Sequence, residues 1–129
     1  MNAQYQIKLQ PDFIIGNLAT DLVELTIQYC TKYENTPPRF PKRMYDSYVT
    51  HIVNLSLMIH LNIHEANSVR KSKEERYRLQ NKAVGECSSM EKLIYIAFKR
   101  GWISNKQHSK WQRLICNLHF RILNWMDSV

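Results

Sequence analysis

The side chains of this sequence that are best suited to chemistry are lysines and arginines in its second half. Residues 92–126 contain seven Lys or Arg residues and no Asp or Glu. At 100° of rotation per helical residue, the basic side chains of 72–100 and of 104–127 gather into two sectors. Such surfaces hold phosphate groups without reading bases. The candidate nucleic-acid-binding or partner-binding residues are Arg78, Lys82, Lys92, Lys99, Arg100, Lys106, Lys110, Arg113 and Arg121.

The distribution of charge also favours an anionic partner. The formal net charge is +7. Residues 1–38 carry two basic and four acidic side chains, whereas residues 39–129 carry sixteen basic and seven acidic ones. If the two sectors lie on adjacent antiparallel helices, they can merge into one positive face. We expect nucleic acid ahead of an acidic membrane; the alternative is an ordinary solvated surface.

Histidines and cysteines are the other candidates for chemistry, and their patterns favour structural roles. His60 and His64 lie four residues apart, a spacing that can bind a metal. The segment lacks an HExxH arrangement and is otherwise apolar, so we expect no metal site. Three widely spaced cysteines in apolar helical contexts predict buried, reduced thiols, and these are Cys30, Cys87 and Cys116.

The sequence lacks the common catalytic patterns. It has no Gly-rich phosphate loop, nucleophile elbow or paired-carboxylate signature, so we expect neither enzymatic activity nor a cofactor. One alternative is a ribonuclease, because RLICNLH at 113–119 resembles the nuclease motif of HEPN-type helical domains, which act on RNA at a dimer interface. Here Leu114 replaces the usual polar residue, and the step from Arg113 to His119 spreads the two side chains around the helix.

Four predicted helices must position these residues in a single domain. They span about 11–35, 41–67, 72–100 and 104–127, after an N-terminal extension of residues 1–10. The proline-rich ENTPPRFP at 34–41 is expected to stop the first helix. Because the later connectors are short, the sequence predicts an all-α, antiparallel up-down-up-down four-helix bundle.

Local signals mark the ends of the later helices. Ser72 and Ser104 each precede a Glu or Gln three residues on, the capping-box pattern. Gly101 follows two basic residues and is typical of a helix end. Trp102 and Ile103 are expected to close the end of the bundle. The N-terminal segment has no signal-peptide pattern and no stretch can span a bilayer, so we expect a cytoplasmic protein.

Apolar spacing predicts the core. Steps of three and four residues define one seam on each of the two later helices: Ala83, Cys87, Met90, Ile94 and Ala97, and Trp111, Ile115, Leu118, Ile122 and Trp125. The second helix is apolar over more than one face. Either another copy of the chain covers it, or it lies centrally in its own bundle.

The layout from residue 39 onward resembles a known family of four-helix bundles. The matching marks are the basic FPK entry to the second helix, Ala66-Asn67 near its end, a short Gly-containing turn followed by Ile-Ser, and Trp125 near the C-terminus. One branch of the family is the accessory variability determinant protein, Avd, of diversity-generating retroelements. The other comprises proteins encoded in intervening sequences of ribosomal RNA genes. LMIHLNIHEANS lacks the small-residue run usual in the second branch, so Avd is the better match.

The resemblance implies a basic homopentameric barrel, encoded by a bacterium, an archaeon or a phage, with no catalytic site of its own. Such a protein binds the reverse transcriptase of the retroelement and its template-repeat RNA, and so supports mutagenic copying of the template. An intervening-sequence-type bundle of unknown role and a plain oligomeric scaffold are the alternatives. KRMYDSY replaces a Gly-containing stretch usual after the FPK entry, and the resemblance does not explain Glu65 and Glu86.

Overall fold

The computed structural model describes residues 13–31, 37–68 and 71–128. These residues form four α-helices: α1, Ile14–Cys30; α2, Thr50–Ala66; α3, Lys73–Lys99; and α4, Asn105–Asp127. A 3₁₀ turn over Lys42–Met44 and a π-helical turn over Tyr45–Val49 lead into α2. The described ranges contain no β-strand, which confirms the all-helical prediction.

Each helix packs against the next one in the chain, and α4 packs back against α1. The neighbours run antiparallel, because pairs of side-chain contacts join the start of one helix to the end of the other. The pairs at the α1/α2 interface are Phe13–His64 and Thr20–His60, and those at the α2/α3 interface are Asn62–Glu86 and Tyr48–Leu93. The pairs at the α3/α4 interface are Glu91–His119 and Phe98–His108, and those at the α1/α4 interface are Phe13–Trp125 and Tyr29–Trp111. The arrangement fits the predicted helical bundle.

The predicted core seams are almost entirely buried. The five seam residues of α3 and the first four of α4 are at most 1% exposed, and they form one hydrophobic cluster with residues of α1 and α2. Trp125 is only half-buried at the end of its seam. At the opposite end of α4, Trp102 packs its ring against Phe40 and Tyr48, with centroids 5.6 and 5.2 Å away, and Ile103 is also buried. The expected closure of the bundle end is confirmed.

Cap chemistry explains where α3 ends and where both later helices begin. Ser104 and Gln107 form the full capping box, with N–H to side-chain oxygen distances of 2.8 and 3.1 Å. Ser72 caps α3, but the Glu75 carboxylate accepts from the Ser72 hydroxyl instead of the Ser72 amide, so the predicted box is only half made. Gly101 has φ +76°, and its amide bonds back to the Phe98 carbonyl, closing α3.

The first two helices differ from their predicted bounds. α1 ends at Cys30 and not near residue 35, because the backbone of Thr31 leaves the helical conformation, with φ −113° and ψ 39°. The helix therefore ends before the proline cluster is reached. Residues 11–12 and 32–36 lie outside the described ranges. The second helix begins as 3₁₀ and π turns, because the amide and hydroxyl of Thr50 both bond to the Tyr45 carbonyl.

The described residues leave the outer side of α2 uncovered. Leu57, Met58 and Leu61 lie on that side and are 39%, 40% and 57% exposed. The opposite side is buried, including Asn62, whose side-chain amide donates to Glu86 Oε1 at 2.8 Å. α2 therefore lies at the periphery of the bundle, as the other three helices do. Within one chain, this disagrees with the alternative that α2 lies centrally in its own bundle.

Candidate nucleic-acid interface

The basic sector of α3 lies on the side of the helix opposite its buried seam. Its residues Arg78, Lys82, Lys92 and Lys99 are all exposed, and Arg100 follows at the helix end. Gly85 shares this sector, and a Cβ built there meets no atom within 4 Å. The missing side chain leaves open space beside the lysines, so an incoming phosphate backbone can approach α3 closely.

The basic sector of α4 is exposed as well, but it has acidic neighbours that its own helix did not reveal. Lys110 and Arg113 line a groove of about 470 Å³ together with Asp21 and Glu24 of α1. None of these four side chains forms an ion pair within 4.0 Å in the described part of the chain. The basic sector of α4 itself contains no acidic residue, as predicted, yet the packing of α1 places two carboxylates beside it.

The two sectors face different neighbours. An open cavity of about 420 Å³ lies on α3 beside α4, and one of the candidate basic residues, Lys92, lines it. The other residues lining it are Ser88, Glu91, Tyr95 and Ile96 of α3 and Gln112 of α4. Lys110 and Arg113 instead face the groove with α1. Neither of these two spaces brings the sectors together, so the single merged face considered from the sequence is divided by the α3/α4 seam.

Arg113 and His119, the pair considered for a ribonuclease, lie on different sides of α4. His119 faces α3, where its Nδ1 is 2.5 Å from Glu91 Oε2. Arg113 lines the groove toward α1. Within one chain the two side chains therefore do not converge on a common substrate position, and His119 has a structural partner that ties α3 to α4.

His60 and His64 tie α1 to α2. Their ring centroids are 4.4 Å apart, and His60 Nε2 lies 3.1 Å from the Thr20 hydroxyl. Burial, and then the neighbouring His64, hold the pKa of His60 below its ordinary value of 6.5. Among the described residues, no group of three His, Cys, Asp or Glu side chains is placed to hold a metal ion. The spacing serves helix packing.

The cysteines fall into two classes. Cys30 and Cys87 are buried, and burial raises the pKa of the Cys30 thiol to about 12. Cys116 is exposed on α4, so the prediction of three buried thiols is wrong for this residue. Its apolar sequence context did not distinguish the buried seam from the flank of the helix, because the seam runs through Ile115 and Leu118.

The sequence reasoning missed three aromatic side chains at the surface of α3 and α4. Tyr77, Tyr95 and Phe120 are 57%, 54% and 63% exposed. The aromatics that the sequence placed on the α4 seam, Trp111 and Trp125, are instead buried and half-buried. The signal was available, because Tyr77 and Tyr95 fall off the α3 seam and lie among basic residues in the sequence.

The two acidic residues that the family resemblance did not explain have local partners. Glu86 accepts from Asn62, and Glu65 pairs with Lys71 Nζ at 3.0 Å. The nine candidate basic residues have no such acidic partner within 4.0 Å among the described residues.

No protein-family model and no curated protein sequence matches this chain. None of the described helices combines the length and the apolar character needed to cross a membrane.

Proposed function

We propose that this chain is a non-enzymatic accessory protein that binds nucleic acid through the exposed basic residues of α3 and α4. The observation that carries the proposal is a set of exposed basic side chains without an ion pair within 4.0 Å in the described part of the chain. All nine candidate residues are exposed, and none pairs with an Asp or Glu of the described ranges. Ammonium and guanidinium groups held in rows on rigid helices attract phosphates and release their counterions.

The resemblance of residues 39–127 to Avd supports a more specific role. The chain acts in a diversity-generating retroelement, where it binds the reverse transcriptase and the template-repeat RNA and supports mutagenic cDNA synthesis. Reconstitution of a retroelement reverse transcriptase with its template RNA tests this role. Adding the chain should increase cDNA yield, and unchanged yield and mutation frequency would refute the role while leaving RNA binding intact.

Self-assembly into a homopentamer completes the proposal. The exposed Leu57, Met58 and Leu61 on α2 support it, because a lone copy leaves this apolar surface in water. Light scattering on nuclease-treated protein should give about five times the chain mass of 15.4 kDa. Leu61→Glu should reduce that mass, whereas Leu123→Glu, the same change on exposed α4, should not. A monomeric wild-type protein would refute assembly.

Salt-dependent binding of RNA tests the central claim. Fluorescence anisotropy with two single-stranded RNAs of unrelated sequence should give equal losses of affinity for the double variant Arg78→Gln/Lys82→Gln. Each lost phosphate contact lowers the slope of log K against log salt by roughly 0.7. The control Lys42→Gln/Arg43→Gln removes two exposed charges outside the basic sectors and should change the slope less.

A further outcome would reject the assignment of these residues. If Arg78→Gln/Lys82→Gln and Lys110→Gln/Arg113→Gln both bind RNA with wild-type affinity and slope, the basic sectors do not contact phosphate.

A further inference from the structure

Tyr95 presents an aromatic ring to solvent at the seam between α3 and α4. Its side chain is 54% exposed and lines the cavity of about 420 Å³ between the two helices, together with Gln112 of α4. The ring lies outside the hydrophobic cluster that forms the core. An exposed tyrosine contributes little to folding, so its face is free to contact a ligand.

The surroundings of Tyr95 are positively charged. Lys92 and Lys99 lie three residues before and four residues after it, which places them beside the ring on the same side of α3. Both lysines are exposed. A planar ring between two ammonium groups is the combination that holds a base and its flanking phosphates.

The partner helix borders the Tyr95 site with a neutral side chain. The contacts Glu91–His119 and Phe98–His108 fix the antiparallel register of α3 and α4. In this register Tyr95 lies opposite Gln112. The cations beside the ring are therefore the two lysines of α3, because the basic residues of α4 that line a groove face α1.

One carboxylate lines the cavity, and it already has a partner. Glu91 Oε2 lies 2.5 Å from His119 Nδ1. Its side chain is 29% exposed, so it faces an entering phosphate less directly than the lysines do. The local balance of charge around Tyr95 thus stays positive.

We propose that Tyr95 stacks on an unpaired base of single-stranded nucleic acid while Lys92 and Lys99 bind the adjacent phosphates. This inference rests on the proposed nucleic-acid function and names the ligand class of that surface. A base within a duplex is already stacked on its neighbours, so the ring can engage only bases that are free of a helix. Every base has a π-face, so stacking gives preference for single strands without sequence preference.

Tyr77 is a second exposed tyrosine on the same helix. It lies 18 residues before Tyr95, which is five full helical turns, so both rings leave α3 in the same direction. Its side chain is 57% exposed. Lys73 and Arg76 line a pocket together with Tyr77, so this ring has basic neighbours too and does not serve as a control for Tyr95.

The test compares three fluorescent probes of equal length: single-stranded RNA, the same RNA as a duplex, and an abasic sugar-phosphate strand. Tyr95→Ala should weaken binding of the single strand about 5- to 100-fold, the range that stacking on one base supplies. Its affinity for the duplex and for the abasic strand should change less than twofold. Tyr95→Phe should keep wild-type affinity for all three probes, because it retains the aromatic face and loses only the hydroxyl.

The outcomes separate the two proposals. If the wild-type protein binds none of the probes and no heparin, the proposed function and this inference both fail. If it binds them but Tyr95→Ala weakens all three equally, or none, only the inference fails. If Tyr95→Ala leaves all affinities unchanged and lowers the mass of the assembly, the ring is a protein contact and the stacking assignment is overturned.

Discussion

The hydrogen bond between Trp111 and Thr26 offers a quantitative test of how α4, which carries four of the nine candidate basic residues, is anchored to α1. Trp111 Nε1 donates to Thr26 Oγ1 at 3.1 Å, and both residues are 0% exposed. Thr26→Val replaces the hydroxyl by a methyl group of similar size and leaves the indole N–H without an acceptor. A buried polar group that loses its partner costs about 1–3 kcal/mol. The change should therefore lower the free energy of unfolding by that amount.

Urea unfolding monitored by circular dichroism measures the effect. Protein concentration must be held constant, because self-assembly adds stability that depends on it. The dependence of free energy on urea should stay unchanged, since the same surface is exposed on unfolding. RNA affinity in native buffer should also stay unchanged, because both side chains lie in the core and neither reaches the basic sectors.

A double-mutant cycle separates the hydrogen bond from packing. Trp111→Phe removes the donor and creates a cavity with its own cost. In the Trp111→Phe background, Thr26→Val leaves no buried N–H group without an acceptor. The loss in free energy of unfolding caused by Thr26→Val should therefore be about 1–2 kcal/mol smaller than in the wild type. Costs that add to within about 0.5 kcal/mol would refute the hydrogen bond as the source of the effect.

Three further predictions concern other parts of the fold. Burial holds the pKa of His60 below its ordinary 6.5, so the unfolded chain binds a proton at this residue more readily than the folded chain does. The free energy of unfolding should therefore fall as the pH drops below 6.5. In His60→Gln the urea midpoint should depend less on pH across that range. Cys116 should react with iodoacetamide under native conditions, while the two buried cysteines react only in urea, as peptide mass spectrometry would show. Gly101→Ala should lower the free energy of unfolding by about 1 kcal/mol, because φ is +76° at this position. Gly85→Ala should raise it by about 1 kcal/mol in the same urea assay, because Gly85 lies in mid-helix with open space around the added Cβ.

The parts of the fold that were predictable from the sequence depend on local chemistry. The seam of Ala83 to Ala97 is buried because steps of three and four residues return to one side of a helix, whatever the neighbouring helices are. Ser104 and Gly101 mark helix ends because caps involve residues a few positions apart. Such signals are complete within a short stretch of chain.

The features that the sequence did not reveal depend on how helices are rotated against one another. Asp21 and Glu24 lie far from Lys110 in the chain, so their shared groove became visible only once α1 was packed on α4. Cys116 is exposed for the same reason, since it lies on the flank of α4 next to a buried seam. The end of α1 at Cys30 was missed because the prolines were the stronger sequence signal, whereas Thr31 already departs from helical backbone angles, with φ −113° and ψ 39°.

The surroundings of the basic residues rank them as phosphate ligands more finely than the sequence allowed. Lys110 shares a groove with two carboxylates of α1, which lower the potential that an approaching phosphate meets there. Lys92 borders one carboxylate, and that group is held against His119. An anionic chain should therefore be held most firmly at the α3/α4 seam, beside the exposed ring of Tyr95. The mixed groove between α1 and α4 presents both charges at once, which suits a protein surface with its own pairs of charges better than a uniform polyanion.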